Sequence, residues 1–299
     1  MKWLMVGIWI ASLLGPGCRS DGDKEVTEDS GIQEVIEFHS PKRVSMRGYT
    51  GEIMEPFLSR DGKVLFFNNL NTPDVNTNLH WSTYVNDTTF EYQGELEGVN
   101  TPALEGVPTM DENGVFFYVY TGAYAQTFSS ISQGIFSNGT LIDTGLVLHI
   151  SRNRIGWVNF DVEVSANGQT LYFVDGTFDA NGGPYEANFV IARKVGGQFR
   201  RTDDYAEIMR NINTDALEYA AAVTPDELDI CFTRVIPGKV PSLYVATREN
   251  ISDPFTNIQL VGEADGFVEA GTYTPDGKGL YYHKKKADGK HGLYWIRKK

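Results

Sequence analysis

The sequence predicts an all-β protein, a five-bladed β-propeller, and three observations support this fold class. Five segments repeat one pattern: an acidic residue, a short half-apolar strand, a turn, and then a strongly apolar strand. A further strand-like segment follows each of these pairs, and a fourth follows in most units. The units recur about every 50 residues, which is the size of a four-stranded propeller blade.

Hairpin turns mark the position of each unit. The turn residues are separated by 52, 54, 59 and 50 residues, and they are Gly62, Gly114, Gly168, Glu227 and Gly277. Four of these turns contain Asp-Gly or Asn-Gly, which favour hairpins because both residues tolerate a positive φ. The fourth turn has Asp226-Glu227 instead, and this predicts a slightly different turn.

The outer strands complete each unit and suggest how the fold is closed. Third strands are predicted at 79–84, 134–137, 189–193, 243–248 and 293–297, and fourth strands at 89–96, 140–148, 198–202 and 257–261. The fifth unit has no fourth strand, and the strand-like segment 35–46 can supply it. We therefore expect an N-terminal strand to join the last blade and remove the exposed sheet edge.

One short helix is predicted among the strands. Residues 203–212 carry Ile208 and Ile212 at a spacing of four, which is typical of one apolar helix face. This helix should lie in a loop between the third and fourth units.

The turn and second strand of the fifth unit resemble a known repeat. Residues 274–282, Thr-Pro-Asp-Gly-Lys-Gly-Leu-Tyr-Tyr, and their counterparts in the other units are similar to the WD-like repeats of TolB-type β-propellers. The resemblance covers roughly residues 50–299 and implies a propeller fold. The Tol-system member of that family has six blades, whereas five units are present here, so the resemblance does not imply a Tol-specific role.

The N-terminal segment predicts export and a lipid anchor. Residues 1–17 contain Lys2 and an apolar run of 12 residues that is too short to span a bilayer. Cys18 follows directly, and the segment resembles a bacterial lipoprotein signal, which implies lipidation of Cys18. We therefore expect a periplasmic or outer-membrane lipoprotein that contacts the membrane through its lipid anchor only.

The rest of the chain divides into a tether and a folded domain. Residues 18–34 are polar and charged, which predicts a flexible tether. Residues 35–299 form the predicted propeller. Cys231 lies in an apolar strand-like run, so we expect a free, buried thiol that behaves as a small hydrophobic residue.

The charge balance limits the partners. The formal net charge is −13, which argues against a nucleic-acid partner because phosphate binding requires a basic surface. We expect a monomer whose partner is an envelope protein or a saccharide.

The predicted blade geometry brings polar residues to one face. In a propeller the innermost strands begin on the face where the second strands end, and the longest loops lie there too. The acids that open the repeats, Glu55, Glu105, Asp161, Glu218 and Glu269, should lie near the mouth of a central channel. The predicted ligand-binding face consists of Asn68, Asn69, Tyr120, Asp175, Glu218, Arg234, Glu269 and His283.

Two functions fit this face. An acid that recurs in every unit favours a structural role, so the first hypothesis is a non-enzymatic scaffold that binds a protein or a saccharide. The alternative is a glycoside hydrolase, because paired carboxylates cleave glycosidic bonds and crowding raises the pKa of one of them. The acid-led strands resemble those of five-bladed glycosidases, which implies Glu55, Glu105 and Asp161 as catalytic candidates. No cofactor is expected, although the carboxylates could hold Ca²⁺ in the channel.

Overall fold

The protein is all-β in the computed structural model, which describes residues 35–72 and 74–299. The predicted signal segment 1–17, Cys18 and the tether 18–34 lie outside the described residues. The described residues contain 21 strands and two helices of four residues each. Neither helix is long and apolar enough to cross a membrane.

The strands follow the predicted units. Two short strands come first, β1 (Lys42–Arg43) and β2 (Ser45–Arg47). The first unit contains β3 (Met54–Leu58), β4 (Val64–Asn68), β5 (Leu79–Asn86) and β6 (Thr89–Glu95). The second contains β7 (Glu105–Met110), β8 (Val115–Tyr120), helix α1 (Tyr124–Thr127), β9 (Ile131–Ser137) and β10 (Thr140–Leu146).

The third unit contains β11 (Trp157–Val164), β12 (Thr170–Asp179), β13 (Gly182–Val195) and β14 (Gln198–Arg201), and helix α2 (Tyr205–Ile208) follows. The fourth contains β15 (Leu217–Val223), β16 (Asp229–Val235), β17 (Ser242–Thr247) and β18 (Thr256–Leu260). The fifth contains β19 (Val268–Tyr273), β20 (Gly279–Lys285) and β21 (His291–Arg297).

Consecutive strands pair antiparallel within every unit. A single parallel bridge between Ala187 and Leu217 joins the third and fourth units, so the described strands form four sheets. Strand β2 pairs parallel with β6. Strand β1 pairs antiparallel with β21, with Lys42 opposite Trp295, and Phe38 forms a bridge with Lys298. The N-terminal segment thus occupies the edge of the sheet that the fifth unit forms.

The first strands of the five units lie side by side. Each one contacts the first strand of the next unit, and β19 contacts β3. Backbone-to-hydroxyl hydrogen bonds cross these junctions: the amide of Leu58 donates to Thr272 at 3.2 Å, and the amide of Val164 donates to Thr109 at 3.2 Å. The inner strands are therefore held together by side chains rather than by a continuous ladder.

Aromatic residues of the second strands fill the space between the sheets. Phe66 of β4 and Phe116 of β8 are fully buried, and their ring centroids are 5.0 Å apart. Burial of each such side chain contributes about 2 kcal/mol to stability. Cys231 lies in the same layer. It is fully buried and its thiol forms no disulfide.

The fourth hairpin differs from its sequence-based prediction. The glycines Gly62, Gly114, Gly168 and Gly277 have φ values between 67° and 82°, and Glu227 has the same left-handed conformation at 60°. The prediction of a different turn was therefore wrong. The strained glutamate is held by Tyr172, whose hydroxyl donates to the Glu227 carboxylate at 2.8 Å, and by Arg248, whose Nε donates to the Glu227 carbonyl at 2.8 Å.

The predicted helix at 203–212 is shorter than expected. Only Tyr205–Ile208 is helical, although Ile208 and Ile212 are buried as the spacing predicted. After the helix, Asn213 binds both backbone groups of Phe189, at 2.8 and 3.0 Å, shortly before β15 begins.

The same asparagine device occurs twice. The segment Asn100-Thr-Pro-Ala-Leu-Glu105 leads into β7, and the similar segment Asn213-Thr-Asp-Ala-Leu-Glu218 leads into β15. Asn100 accepts from the amide of Leu79 at 2.8 Å and donates to its carbonyl at 3.0 Å, as Asn213 does with Phe189. Each asparagine thus joins the third strand of one unit to the start of the next unit.

We expect Asn100→Ala to lower the free energy of unfolding by about 2–3 kcal/mol, because the amide of Leu79 loses its acceptor and the carbonyls of Leu79 and Leu96 each lose a donor. Urea denaturation measures the change. A matched control is Gln126→Ala, since Gln126 is exposed and its change should stay within about 0.5 kcal/mol. Equal stabilities for the two variants would contradict the role given to Asn100.

Candidate functional site

A β-bulge in every inner strand sets the register of the predicted acids. The bulges lie between Met54 and Phe57, Gly106 and Thr109, Asn159 and Val162, Tyr219 and Ala222, and Glu269 and Thr272. Glu55 and Asp161 lie within their bulges, Glu269 flanks its bulge, and Glu105 and Glu218 come one residue before the flank. The acids that align in sequence therefore occupy different positions in the structure, because a bulge shifts the side-chain alternation.

Glu105 and Glu218 stabilise the connections into their strands. Glu105 is fully buried and accepts from the amide of Thr101 at 3.0 Å and from its hydroxyl at 2.5 Å. Glu218 accepts the same two bonds from Thr214, at 3.1 and 2.6 Å, and a third from Arg234 Nε at 2.8 Å. Burial raises the pKa of Glu105 to about 7, and the hydrogen bonds from Thr101 oppose this increase.

This pKa predicts a pH dependence of stability. The folded-state pKa of about 7 lies above the ordinary value of 4.5, so the native state binds the extra proton and stability falls as the pH rises from about 4.5 to 7. The contribution is about 3 kcal/mol. We expect Glu105→Gln to remove this pH-dependent contribution to stability. The stability of the variant relative to the unmodified protein should therefore increase as the pH rises from about 4.5 to 7.5. Denaturant unfolding at both pH values measures it, and a constant difference would contradict the prediction.

The bulges of all five inner strands line one narrow cavity. It has a volume of about 30 Å³, which holds a water molecule and not a sugar ring. Its acidic lining residues are Glu55, Asp161 and Glu163, and small or apolar residues such as Val107, Ala220 and Ala270 form the remainder. The cavity therefore brings together carboxyl groups from the first and third units.

Two of these carboxyls have strongly altered proton affinity. Burial raises the pKa of Glu55 well above its usual value, and the nearby charges of Asp161 and Glu269 raise it further. Burial also raises the pKa of Asp161, and the charge of Glu269 adds to this effect. These carboxyls therefore keep protons at pH values where an exposed carboxyl is ionised.

Glu269 has hydrogen-bond donors on both oxygens. The hydroxyl of Tyr219 donates to Oε1, and His283 Nε2 lies 3.1 Å from Oε2. The backbone amide of Glu55 donates to Nδ1 of His283 at 3.2 Å, so Nδ1 carries no proton and Nε2 is the donor to Glu269. This arrangement suits an ionised carboxylate, which only accepts hydrogen bonds.

A buried ion pair lies at the end of the cavity nearer the hairpin turns. Arg60 Nη2 is 2.9 Å from Glu163 Oε1, and Arg60 Nε donates to the carbonyl of Met110 at 3.2 Å. The hydroxyl of Thr109 donates to the other carboxylate oxygen of Glu163 at 2.6 Å. Sequence reasoning missed both charged residues, although Glu163 lies two residues after Asp161 and strand alternation could have placed it on the same side.

The predicted ligand-binding residues mostly hold the scaffold itself. Asn68 accepts from the amide of Val107 at 3.0 Å, and Asn69 closes its own loop by accepting from the amide of Asn78 at 2.7 Å. Tyr120 is half-buried and packs against the hydrophobic core. The remaining predicted residues, Asp175, Glu218, Arg234, Glu269 and His283, form ion pairs or hydrogen bonds with each other or with neighbouring side chains.

No group of three or more His, Cys, Asp or Glu side chains in residues 35–72 and 74–299 could hold a metal ion. The calcium ion considered from the sequence stays a prediction.

The fold is similar to that of solved propeller structures. The chain superimposes on a glycoside hydrolase with a TM-score of 0.60 and 10% identity, covering 88% of this chain and 92% of that one. Zg3597, a family 117 glycoside hydrolase from Zobellia galactanivorans, gives a TM-score of 0.56 and 10% identity, covering 88% and 90%. The exo-β-1,3-galactanase of Phanerochaete chrysosporium gives a TM-score of 0.56 and 10% identity. The superposition covers 87% of this chain but only 63% of that enzyme. The all-β prediction is thus confirmed as a propeller-like fold.

Sequence comparison adds no family. No protein-family model matches the chain, and no curated protein is detectably similar to it in sequence. TolB from Acinetobacter baumannii is among the similar structures, but its TM-score is only 0.46. The propeller-like fold is confirmed by the glycoside hydrolase structures, whereas the TolB-type family itself is not confirmed.

The comparisons correct the functional hypothesis. The preferred interpretation from the sequence was a non-enzymatic binding scaffold, whereas several solved structures similar to this chain, with TM-scores of 0.51 to 0.60, are glycoside hydrolases. They favour the alternative over the scaffold.

Proposed function

We propose that this protein is a glycoside hydrolase on a five-bladed β-propeller that β1 closes by joining β21. The five repeated units and the contact of β19 with β3 support the closed ring. The observation that carries the activity is the meeting of three carboxyls, Glu55, Asp161 and Glu269, with unequal surroundings beside one cavity. Unequal environments of neighbouring carboxyls are what acid–base hydrolysis requires.

Glu55 is the proposed general acid. Its pKa is raised by burial and by two neighbouring carboxyls, so it carries a proton that it can donate to the leaving oxygen of a glycosidic bond. Part of the Glu55 residue is exposed to solvent, although its carboxyl group is buried.

Glu269 is the proposed base. The hydroxyl of Tyr219 and Nε2 of His283 hold its carboxylate in place, and the same histidine ring accepts from the backbone of Glu55. The acid and the base are therefore positioned by one shared group. Asp161 lies beside both, and its charge raises the pKa of Glu55.

Glu269 replaces Glu105 in the catalytic set implied by the sequence. Glu105 is bonded to Thr101, whereas the charge of Glu269 raises the pKa of both Glu55 and Asp161, which line the cavity. The position of each acid relative to its bulge accounts for this change.

The size of the cavity fits the water of hydrolysis. At about 30 Å³ it admits water between the carboxyls, and the sugar ring would lie outside it, toward the face where the inner strands begin. In the reaction, Glu55 protonates the leaving oxygen, the base removes a proton from water, and the hydroxide adds to the anomeric carbon. Water is thereby added across the glycosidic bond.

Assays against a panel of aryl glycosides and oligosaccharides test this proposal. We expect turnover of at least one substrate, and we expect Glu269→Gln to abolish it while the protein stays folded by circular dichroism. Glu249→Gln is the matched control, because Glu249 is an exposed glutamate remote from the cavity lining. Absence of turnover on the whole panel, or equal turnover by Glu269→Gln, would overturn the proposal.

We also propose that the enzyme is exported as a monomeric lipoprotein attached through Cys18, and that its partner is a saccharide of the cell envelope. The signal-like segment 1–17 and the polar residues 18–34 support this. Mass spectrometry of the mature N-terminus tests it, since a lipid-modified Cys18 is expected and an unmodified terminus at another residue would contradict it.

A further inference from the structure

A second pocket lies on the third unit and contains three arginines. It has a volume of about 500 Å³ and is lined by Ser151, Arg152, Arg154, Arg201, Thr202, Asp203 and Tyr205. A formal charge of −13 on the whole chain makes such a local concentration of positive charge unusual. The only acid in the lining is Asp203, which is exposed to solvent.

A buried carboxylate holds two of these arginines in place. Asp175, whose side chain is only 2% exposed, accepts from Arg152 Nε at 2.7 Å and from both terminal nitrogens of Arg201, at 2.7 and 2.5 Å. Arg201 Nε also donates to the carbonyl of Ile150 at 2.6 Å, and the Arg152 guanidinium stacks on Trp157 at 4.1 Å. Both guanidinium groups are therefore fixed before any ligand arrives.

The pocket keeps unused donors and unbalanced charge. No hydrogen bond within the described residues engages the Nη atoms of Arg152 or the guanidinium of Arg154. Asp175 and Asp203 together balance two of the three arginines, which leaves one net positive charge in the pocket. Guanidinium groups bind carboxylate and sulfate oxygens through charge-assisted hydrogen bonds.

The pocket is connected to the proposed active site. Asp175 also accepts from the side chain of Asn159 at 2.8 Å, and Asn159 belongs to the inner strand β11, two residues before Asp161. A ligand group bound by the arginines would thus lie on the same unit as one of the cavity carboxyls.

We propose that Arg152, Arg154 and Arg201 bind an anionic group, a carboxylate or a sulfate, of the saccharide substrate. The statement that the bound saccharide is a substrate rests on the proposed hydrolase function, whereas binding of the anionic group to the arginines does not require turnover. It assigns the enzyme to acidic glycans, such as uronate-containing or sulfated chains, rather than to neutral ones.

Binding measured by calorimetry on the Glu55→Gln variant tests this without cleavage. Three oligosaccharides of equal length serve as probes: an oligogalacturonate, a sulfated galactan oligomer, and a neutral galactan oligomer. We expect one of the two anionic probes to bind, and this identifies carboxylate or sulfate as the recognised group. Binding should weaken as salt increases, because surface charge is screened.

Arg154→Gln in the same background should weaken binding by about tenfold to a hundredfold, the range expected for a lost charge-assisted hydrogen bond. Arg154 has no partner within the described residues, so this variant should keep its fold. Arg200→Gln is the control, because Arg200 is exposed and does not line the pocket.

Several outcomes would overturn the inference. They are equal binding of the neutral probe, unchanged binding by Arg154→Gln, and competition by inorganic sulfate as effective as that by the saccharide. If anionic probes bind through Arg154 while no glycoside is hydrolysed, the binding site stands and the proposed hydrolase fails. If neutral glycosides are hydrolysed and Arg154→Gln is without effect, the reverse holds.

Discussion

Glu55→Gln is expected to reduce kcat/KM for glycoside hydrolysis by about 10²- to 10⁴-fold, the usual contribution of a general acid. Glutamine has nearly the same shape but cannot supply a proton to the leaving oxygen. Because burial and the charges of Asp161 and Glu269 favour the protonated form of Glu55, the substitution replaces a neutral group with another neutral group. Stability should therefore change little or increase, which separates loss of chemistry from loss of fold.

The pH profile gives a second readout for this variant. In the unmodified enzyme, activity should fall on the alkaline side as Glu55 loses its proton, and the raised pKa moves this limb above the range of an ordinary carboxyl. Glu55→Gln should lose that limb. Glu105→Gln is the matched control, since it removes a buried carboxyl outside the cavity and should retain activity. Similar losses in both variants would indicate a structural effect and remove Glu55 from the mechanism.

Phe38→Ala is expected to lower the free energy of unfolding by about 3–5 kcal/mol. Phe38 is 1% exposed and packs in the core between the fourth and fifth units with residues such as Val261 and Ile296. Its segment also bonds to the C-terminal strand, because the amide of His39 donates to the carbonyl of Arg297 at 2.8 Å. Loss of the phenyl side chain therefore weakens the contact between the N-terminal segment and the fifth unit, which we propose closes the propeller.

Val35→Ala provides the comparison for this prediction. Val35 belongs to the same N-terminal segment but is 72% exposed, so its substitution should change stability by less than about 0.5 kcal/mol. Chemical denaturation of both variants measures the difference. A small effect of Phe38→Ala would show that the segment is dispensable for the fold and would count against closure by the N-terminus.

The strand pattern of this protein was largely readable from its sequence. Asp-Gly and Asn-Gly turns and alternating apolar residues are local signals, and the described strands overlap the predicted ones, although β13 begins at Gly182, seven residues before its predicted start. The exceptions have physical causes outside the local pattern. Glu227 adopts a glycine-like conformation because Tyr172 and Arg248 hold it, and both lie far from it along the chain.

The candidate site was only partly predictable. Five acids were identified, but their side-chain directions depend on bulges that add a residue to each inner strand. No turn residue marks these bulges, and Glu55 and Val107 occupy them at positive φ without a glycine. The partnership of Arg60 with Glu163 was equally hidden, because it joins residues 103 positions apart.

That ion pair limits how the architecture can change. Most repeat proteins hold each repeat only against its neighbours, so repeats can be gained or lost one at a time. Arg60 belongs to the first unit and Glu163 to the third, and both are buried with few alternative partners. A duplicated or deleted unit would alter the distance across the axis and leave two buried charges apart, at several kcal/mol each. In the closed propeller that we propose, the ion pair would therefore restrict the number of repeats, because its length limits the distance between the first and third units.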